Sequence, residues 1–257
     1  MLLFQEKKHF LTIAINRPEA LNTLTPDLIK QLTTAITEWS QQPDIRVIVI
    51  TGAGDRAFVG GVDVRSMKDL DPEGAEKFIT NLHKCFLAIR ESPQIIIASI
   101  NGYALGGGLE LAVSCDLRIA SDRAQFGMPE VKVGIPSVIE SALLPRLIGL
   151  GPAAELVYTG KMIDAQEAWR IGLVNKVVPH EELKAATQQM VREILQNAPQ
   201  ALIIQKRLIA QWMEQPLSRG IAAGIKAFKE SYRTDEPREG MQAFLEKRKP
   251  SFAIEEG

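Results

Sequence analysis

The sequence predicts an α/β fold followed by a helical region, and three observations lead to that class. Residues 47–51 and 95–100 are continuous, largely β-branched runs, which is typical of strands buried on both faces. Segments with helical periodicity alternate with these strands in the first half of the chain. From about residue 137 onward the pattern is almost entirely helical, and we expect no strand there.

The individual elements follow from local signals. Residues 10–15 read as a strand that ends at an Asn-Arg-Pro turn. Thr25 is the expected N-cap of a helix with Pro26 at its first position. Apolar residues then recur at a spacing of three or four: Leu28, Leu32, Ile36 and Trp39. A second helix is expected over about 73–91 and a further strand at 117–120. The later helices are expected at about 137–148, 152–160, 164–171, 180–197, 199–213, 217–231 and 237–248.

Composition excludes several classes of function. A length of 257 residues is sufficient for a sizeable core, and a formal net charge of −1 indicates neither a nucleic-acid partner nor an anionic membrane surface. From the first residues we expect no signal peptide, and no apolar run reaches the roughly 18 residues of a membrane span. We therefore expect a cytoplasmic protein without a membrane partner.

Cysteines and histidines give no metal motif. Cys85 and Cys115 lie in apolar, helix-like segments without CxxC spacing, so we expect buried thiols. The three histidines are scattered over three segments and form neither HxxxH nor HExxH. No metal site is expected.

Two glycine-rich turns follow the buried strands, at residues 57–63 and 101–110. Glycine lets the backbone approach a ligand closely and present bare N–H groups to it. Neither turn has the spacing of a dinucleotide-binding or P-loop motif, so an anion or oxyanion site is the remaining ligand-binding interpretation. A tight turn packed against a neighbouring segment is the alternative.

Two glutamates complete the candidate chemistry. Glu110 lies in the first turn of an apolar helix, where burial or a favourable helix dipole accounts for it. Glu130 lies in a Gly/Pro turn and, taken alone, is an ordinary exposed carboxylate. Two carboxylates can hold one water and exchange protons with it, and backbone N–H groups stabilise an enolate oxygen. The combination fits proton transfer beside a thioester carbonyl.

At these residues the chain resembles the enoyl-CoA hydratase/isomerase (crotonase) superfamily. The resemblance runs nearly end to end and rests on five ordered motifs. They read NRPEALN at 16–22, AFVGGVD at 57–63, NGYALGGGLE at 101–110, FGMPE at 126–130 and EGMQAFLEKRKP at 239–250.

The resemblance implies a particular fold and assembly. We expect a crotonase-like spiral of ββα repeats over residues 1–195, and a C-terminal helical region over 196–257 that mediates trimerisation. The implied assembly is a homotrimer, or a hexamer formed as a dimer of trimers.

The resemblance also implies the site. Glu110 and Glu130 are the expected catalytic residues, and the N–H groups of Val62 and Gly107 the expected oxyanion hole. Contacts with the substrate or its coenzyme A part are expected from residues in the second and last motifs: Gly60, Asp63, Phe244 and Lys247. Gly60 is expected to present its carbonyl to the adenine, and no separate cofactor is implied.

The implied activity is syn addition of water to a 2-enoyl-CoA, or the reverse elimination. Both hydratase-type glutamates are present, with Glu110 as base on the water and Glu130 as proton donor to the α-carbon. A double-bond isomerase, or another lyase or hydrolase of the superfamily, is the alternative. A non-catalytic or RNA-binding member is disfavoured by the near-neutral charge and the intact glutamates.

The chain departs from the family pattern at two places. Glu19 occupies a position where some hydratases have a lysine near the coenzyme A phosphates. The glycine-rich PGxGG loop is replaced by GIPSVIESALLP at 134–145. Val138 and Ile139 are therefore expected to shorten the acyl pocket, and Glu140 adds a third carboxylate or caps a helix. The variant is similar to a subgroup that includes methylthioacryloyl-CoA hydratases.

Overall fold

Residues 1–252, which the computed structural model describes, form two sheets surrounded by helices. The ten strands are β1 (Leu2–Lys7), β2 (Phe10–Ile15), β3 (Val47–Gly52), β4 (Ala57–Val59), β5 (Ile95–Ile100), β6 (Tyr103–Leu105), β7 (Leu117–Ser121), β8 (Gln125–Gly127), β9 (Met162–Asp164) and β10 (Lys176–Val178).

The ten α-helices of the described residues lie around and after these strands. They are α1 (Pro26–Trp39), α2 (Pro72–Glu91), α3 (Gly107–Ser114), α4 (Leu144–Ile148), α5 (Leu150–Thr159), α6 (Ala165–Arg170), α7 (Leu183–Leu195), α8 (Pro199–Glu214), α9 (Leu217–Ser231) and α10 (Glu236–Glu246). Short 3-10 helices occupy Pro18–Ala20, Val64–Ser66, Pro129–Val133, Ile139–Leu143 and His180–Glu182.

From β3 to β8, successive strands alternate between the two sheets. The larger sheet has the order β1-β2-β3-β5-β7-β10, and the smaller one β4-β6-β8-β9. Each of the pairs β3/β4, β5/β6 and β7/β8 thus gives one strand to each sheet, and α2 and α3 follow the first two pairs. This arrangement confirms the predicted α/β fold with ββα repeats.

The strands β3 and β5 are buried on both faces, as their β-branched runs predict. Ile48 and Ile96 are paired in register and face the main core, which includes residues of α1 and α2. Val49 and Ile97 face a second cluster with residues of α7. A central strand covered by helices on both sides has no polar face, which explains the unbroken apolar run.

The helix signals at the N-terminus are confirmed. The Thr25 hydroxyl accepts from the Leu28 N–H at 3.3 Å, and Pro26 occupies the first turn of α1. A side-chain oxygen at this position satisfies one of the N–H groups that a helix leaves unpaired. Cys85 and Cys115 are buried free thiols, and burial raises the pKa of each to about 12.

The expectation of no strand after residue 137 was wrong. β9 pairs with β8 antiparallel, and β10 pairs with β7 in parallel. The glycine-rich turns also contain the unpredicted strands β4 and β6, and β1 adds an outer strand to β2. Strands of three residues are too short to show a period of two, so only their tertiary pairing defines them.

The C-terminal helices begin with α8, which is joined to the sheets by a buried cation. Lys206 Nζ donates to the Gln94 carbonyl at 2.8 Å and to Asp116 at 2.7 Å. The boundary predicted after residue 195 falls at the end of α7, and residues 253–257 of the predicted 196–257 region lie outside the described part. No described helix is long and apolar enough to cross a membrane.

Candidate active site

The three consecutive glycines at the start of α3 serve different purposes. Gly106 has φ +52, and a Cβ placed on it would lie 2.5 Å from Glu130 Oε1. A Cβ on Gly108 would lie 2.0 Å from the Val59 carbonyl oxygen. Gly108 therefore supports the packed-turn interpretation, whereas Gly106 leaves room for a candidate catalytic carboxylate.

Val62 and Gly107 are neighbours, as the resemblance implies. Val62 Cγ2 lies 3.1 Å from the point that a Cβ on Gly107 would occupy. The Gly61 carbonyl and the Asp63 N–H both bond to Leu24, at 2.9 Å each. Because backbone groups alternate in direction along a strand, the N–H of Val62 points away from Leu24. The N–H of Gly107 belongs to the first turn of α3 and has no acceptor within the helix.

Glu110 is buried and held by one serine. Its side chain is on the first turn of α3, and the residue is only 4% exposed. Oε1 accepts from the Ser141 N–H at 3.0 Å and from the Ser141 hydroxyl at 2.6 Å. Burial raises the pKa of Glu110 to about 8, although the two bonds from Ser141 favour its ionised form. The carboxyl group therefore exchanges a proton near neutral pH.

Glu130 is not the exposed loop carboxylate that its local sequence suggests. It lies half-buried in the 3-10 helix Pro129–Val133, and Oε2 accepts from the Ser137 hydroxyl at 2.9 Å. Burial raises the pKa of Glu130 as well, and its charge is one of the lesser causes that raise the pKa of Glu110. The structure thus brings both predicted glutamates to the glycine-rich start of α3.

Sequence reasoning missed Ser137 and Ser141, which orient the two glutamates. Both serines lie in the segment 134–145, where the chain departs from the family pattern. A small hydroxyl residue in a loop carries no signal by itself. The departure of this segment from the family pattern was the available clue.

The expected acyl-pocket residues lie between these two serines in the chain. Val138 and Ile139 line a cavity of about 310 Å³ together with residues of α4 and α5. Glu140 turns the other way and is buried, with Oε1 2.9 Å from His83 Nδ1 and 3.7 Å from an Arg90 nitrogen of α2. Burial raises the pKa of Glu140. The side chain is therefore more than a helix-capping charge.

Gly60 and Asp63 lie in the turn before Val64–Ser66. The Gly60 N–H donates to the Leu21 carbonyl at 2.8 Å, and a Cβ on Gly60 would lie 2.9 Å from Leu21 Cβ. Asp63 is buried and pairs with Arg65 at 3.0 Å and with Arg17 at 3.3 Å. Hydrogen bonds from Arg65 lower the pKa of Asp63. The Asp63 carboxylate thus holds two arginines beside the site.

Phe244 and Lys247 lie at the C-terminal end of α10, and both are exposed to solvent. Phe244 is 83% exposed, and Lys247 is an exposed residue with φ +55 at the C-terminal end of the helix. Glu19, the other departure from the family pattern, lies in the exposed 3-10 helix Pro18–Ala20.

Comparison with known proteins supports the resemblance over the whole chain. The chain is 39% identical to a crotonyl-CoA hydratase of Syntrophomonas wolfei, over 98% of this chain and 97% of that protein. It is also 39% identical to a short-chain-enoyl-CoA hydratase of Clostridium acetobutylicum, over 96% and 95%. A crystal structure of an enoyl-CoA hydratase from Bacillus anthracis matches with a TM-score of 0.94 and 34% identity, covering 99% of both chains. A family model described as enoyl-CoA hydratase/isomerase matches residues 5–255, and this chain belongs to that family.

Proposed function

We propose that the protein is a 2-enoyl-CoA hydratase. The observation that carries the proposal is the pair formed by the buried Glu110 and the half-buried Glu130, each held by a serine, at the glycine-rich start of α3. Relatives named as hydratases at 39% identity over nearly the full chain support the same activity.

The geometry supports a division of roles between the glutamates. Glu110 removes a proton from water while the water oxygen bonds to the β-carbon of the enoyl thioester. Glu130 delivers a proton to the α-carbon, so that H and OH add across the double bond. The thioester oxygen carries the developing negative charge, and the N–H groups of Val62 and Gly107 stabilise it.

The coenzyme A part of the substrate extends from this point along the turn that holds Gly60 and Asp63. We assign the adenine contact to the Gly60 carbonyl. Asp63 contributes by orienting Arg65 and Arg17, whose positive charges suit the phosphates. Phe244 and Lys247 complete the binding site from α10 of a neighbouring subunit.

Loss of the conjugated thioester absorbance of crotonyl-CoA tests this function directly. The wild-type protein should consume crotonyl-CoA and form the 3-hydroxyacyl product. An isomerase would leave crotonyl-CoA unchanged and would instead convert a 3-enoyl-CoA. A series of longer and branched enoyl-CoA substrates then measures the room beside Val138 and Ile139.

A plot of the hydration rate against pH should be bell-shaped, and the decrease at high pH should begin near the pKa of Glu110. The reaction needs one proton on the glutamate pair: Glu110 accepts a proton while Glu130 donates one. Above a pH of about 8 the pair loses its last proton, and kcat/KM should fall about tenfold per pH unit. At low pH both carboxyl groups are protonated and no base remains, so kcat/KM falls again. A profile that keeps rising above pH 9 would contradict this assignment.

The protein should assemble through its C-terminal helices into a trimer or a hexamer. The helix α9 exposes apolar side chains along one stripe, and such a surface marks a protein interface: Leu217, Ile221, Ile225 and Phe228. Light scattering should give three or six times the mass of the chain. An Ile225→Asp/Phe228→Asp variant should be monomeric and bind acyl-CoA poorly, whereas Lys229→Asp, an exposed change on the same helix, should assemble normally. A monomeric wild-type protein would refute the assembly.

A further inference from the structure

Glu140 is a buried carboxylate of which only one oxygen has polar partners among the described residues. The residue is 2% exposed, and its Oε2 has no hydrogen-bond partner among the described residues. Oε1 lies near His83 and Arg90, both on α2. An unpaired buried oxygen destabilises the folded state, because it loses its bonds to water without replacement.

The backbone next to Glu140 is strained. Ile139 has φ +45, a left-handed conformation that is an outlier for a β-branched residue. Strain of this kind persists only where the surrounding structure holds the backbone firmly in place. Here the contacts that hold it lie on the C-terminal side at Glu140, which pairs with α2, and at Ser141, which donates twice to Glu110.

We propose that Glu140 is a positioning residue for the hydration reaction. Paired with His83 and Arg90, it anchors the 139–141 backbone to α2, so that the N–H and hydroxyl of Ser141 meet Glu110. The inference rests on the proposed function, because Glu110 is the base in that reaction. The inference goes beyond the proposed function because it gives Glu140 a role that involves no contact with the substrate.

Neither His83 nor Arg90 depends on Glu140 to compensate its charge, because both side chains are partly exposed to solvent. The His83 side chain is 41% exposed, and the Arg90 side chain is 29% exposed and also pairs with Glu214 at 3.4 Å. Removing one partner of a fully buried ion pair is normally destabilising, because the other charge stays buried and unpaired. Here both remaining side chains reach solvent, so an apolar replacement of Glu140 leaves neither of them fully buried without a partner. Active sites often contain groups that lower the stability of the fold because function requires them. A buried carboxylate with one unpaired oxygen beside Ser141 is therefore typical of a functional site.

A Glu140→Met variant separates positioning from a merely structural role. Its thermal midpoint should equal or exceed that of the wild type, because methionine fills a similar volume without a buried unpaired oxygen. Its kcat for crotonyl-CoA should fall roughly 10- to 100-fold, since small displacements of a catalytic group have effects of that size. KM should change much less. Glu140→Gln, whose amide oxygen can still accept from His83, should recover most of kcat.

Glu91→Met on α2 is the matched control, because Glu91 is exposed, and it should leave kcat unchanged. A crystal structure of Glu140→Met should show Ser141 displaced from Glu110, a result that does not depend on activity. In a double-variant cycle, Ser141→Ala should add little to Glu140→Met, because both act on the same contact. A wild-type protein inactive on all enoyl-CoA substrates would refute the proposed function. An active wild type with unchanged kcat in Glu140→Met, or with kcat and thermal midpoint falling together, would overturn the role of Glu140.

Discussion

A Glu110→Gln variant should hydrate crotonyl-CoA on the order of 10² to 10⁴ times more slowly than the wild type, the range expected when a general acid or base is lost. The amide oxygen can still accept from Ser141, so the side chain keeps its place, but it cannot take a proton from water. Glu130→Gln should lose activity to a similar extent, because the α-carbon then has no proton donor. Steady-state rates at pH 7 measure both effects.

The fold of the Glu110→Gln variant should be intact or more stable. The pKa of Glu110 is about 8 in the folded protein, above its ordinary value of 4.5. The folded state therefore holds a proton that the unfolded chain releases, and stability falls as pH rises between these two values. A neutral amide avoids this loss, so the thermal midpoint at pH 7 should not decrease.

Glu38→Gln is a suitable control, since Glu38 is exposed on α1 and should have no effect on rate. Full activity in a Glu110→Ala/Glu130→Ala double variant would eliminate the acid/base assignment.

Gly106→Ala should abolish most activity without preventing folding. The new Cβ would lie 2.5 Å from Glu130 Oε1, so the carboxylate must move away. The backbone at Gly106, with φ +52 and ψ −124, lies in a region that residues other than glycine rarely adopt, and the strain adds about 1–3 kcal/mol. A displacement of this kind lowers kcat by roughly 100-fold, because a misplaced catalytic group loses its alignment. Steady-state kinetics and circular dichroism together measure the two effects.

Alanine substitutions at two other glycines provide the comparison for Gly106→Ala. At Gly108 the Cβ would lie 2.0 Å from the Val59 backbone oxygen, which cannot move without β4, so Gly108→Ala should misfold. At Gly151 in α5 nothing lies within 4 Å of the added Cβ, so Gly151→Ala should leave both activity and fold unchanged. If Gly106→Ala retained wild-type kcat, the position assigned to Glu130 in the reaction would be untenable.

Much of the fold was accessible from periodicity alone. The strand at 10–15, the helix capped by Thr25 and the buried runs at 47–51 and 95–100 all formed as expected, because each has enough residues to display its pattern. The three-residue strands could not be recognised from the sequence, and β9 and β10 contradict the prediction of an all-helical C-terminal part. Their hydrogen-bond partners lie far away in the chain, so local sequence contains little information about them.

The sequence by itself determined which residues carry the candidate chemistry: the glutamates, the glycines beside them, and the departure at 134–145. Tertiary structure alone decided how those groups behave. Glu110 gains its raised pKa from burial, and it gains its orientation from Ser141, thirty-one positions along the chain. Glu140 meets His83 across fifty-seven positions. Desolvation and hydrogen bonding depend on which distant segments pack together, and that packing is a property of the whole fold.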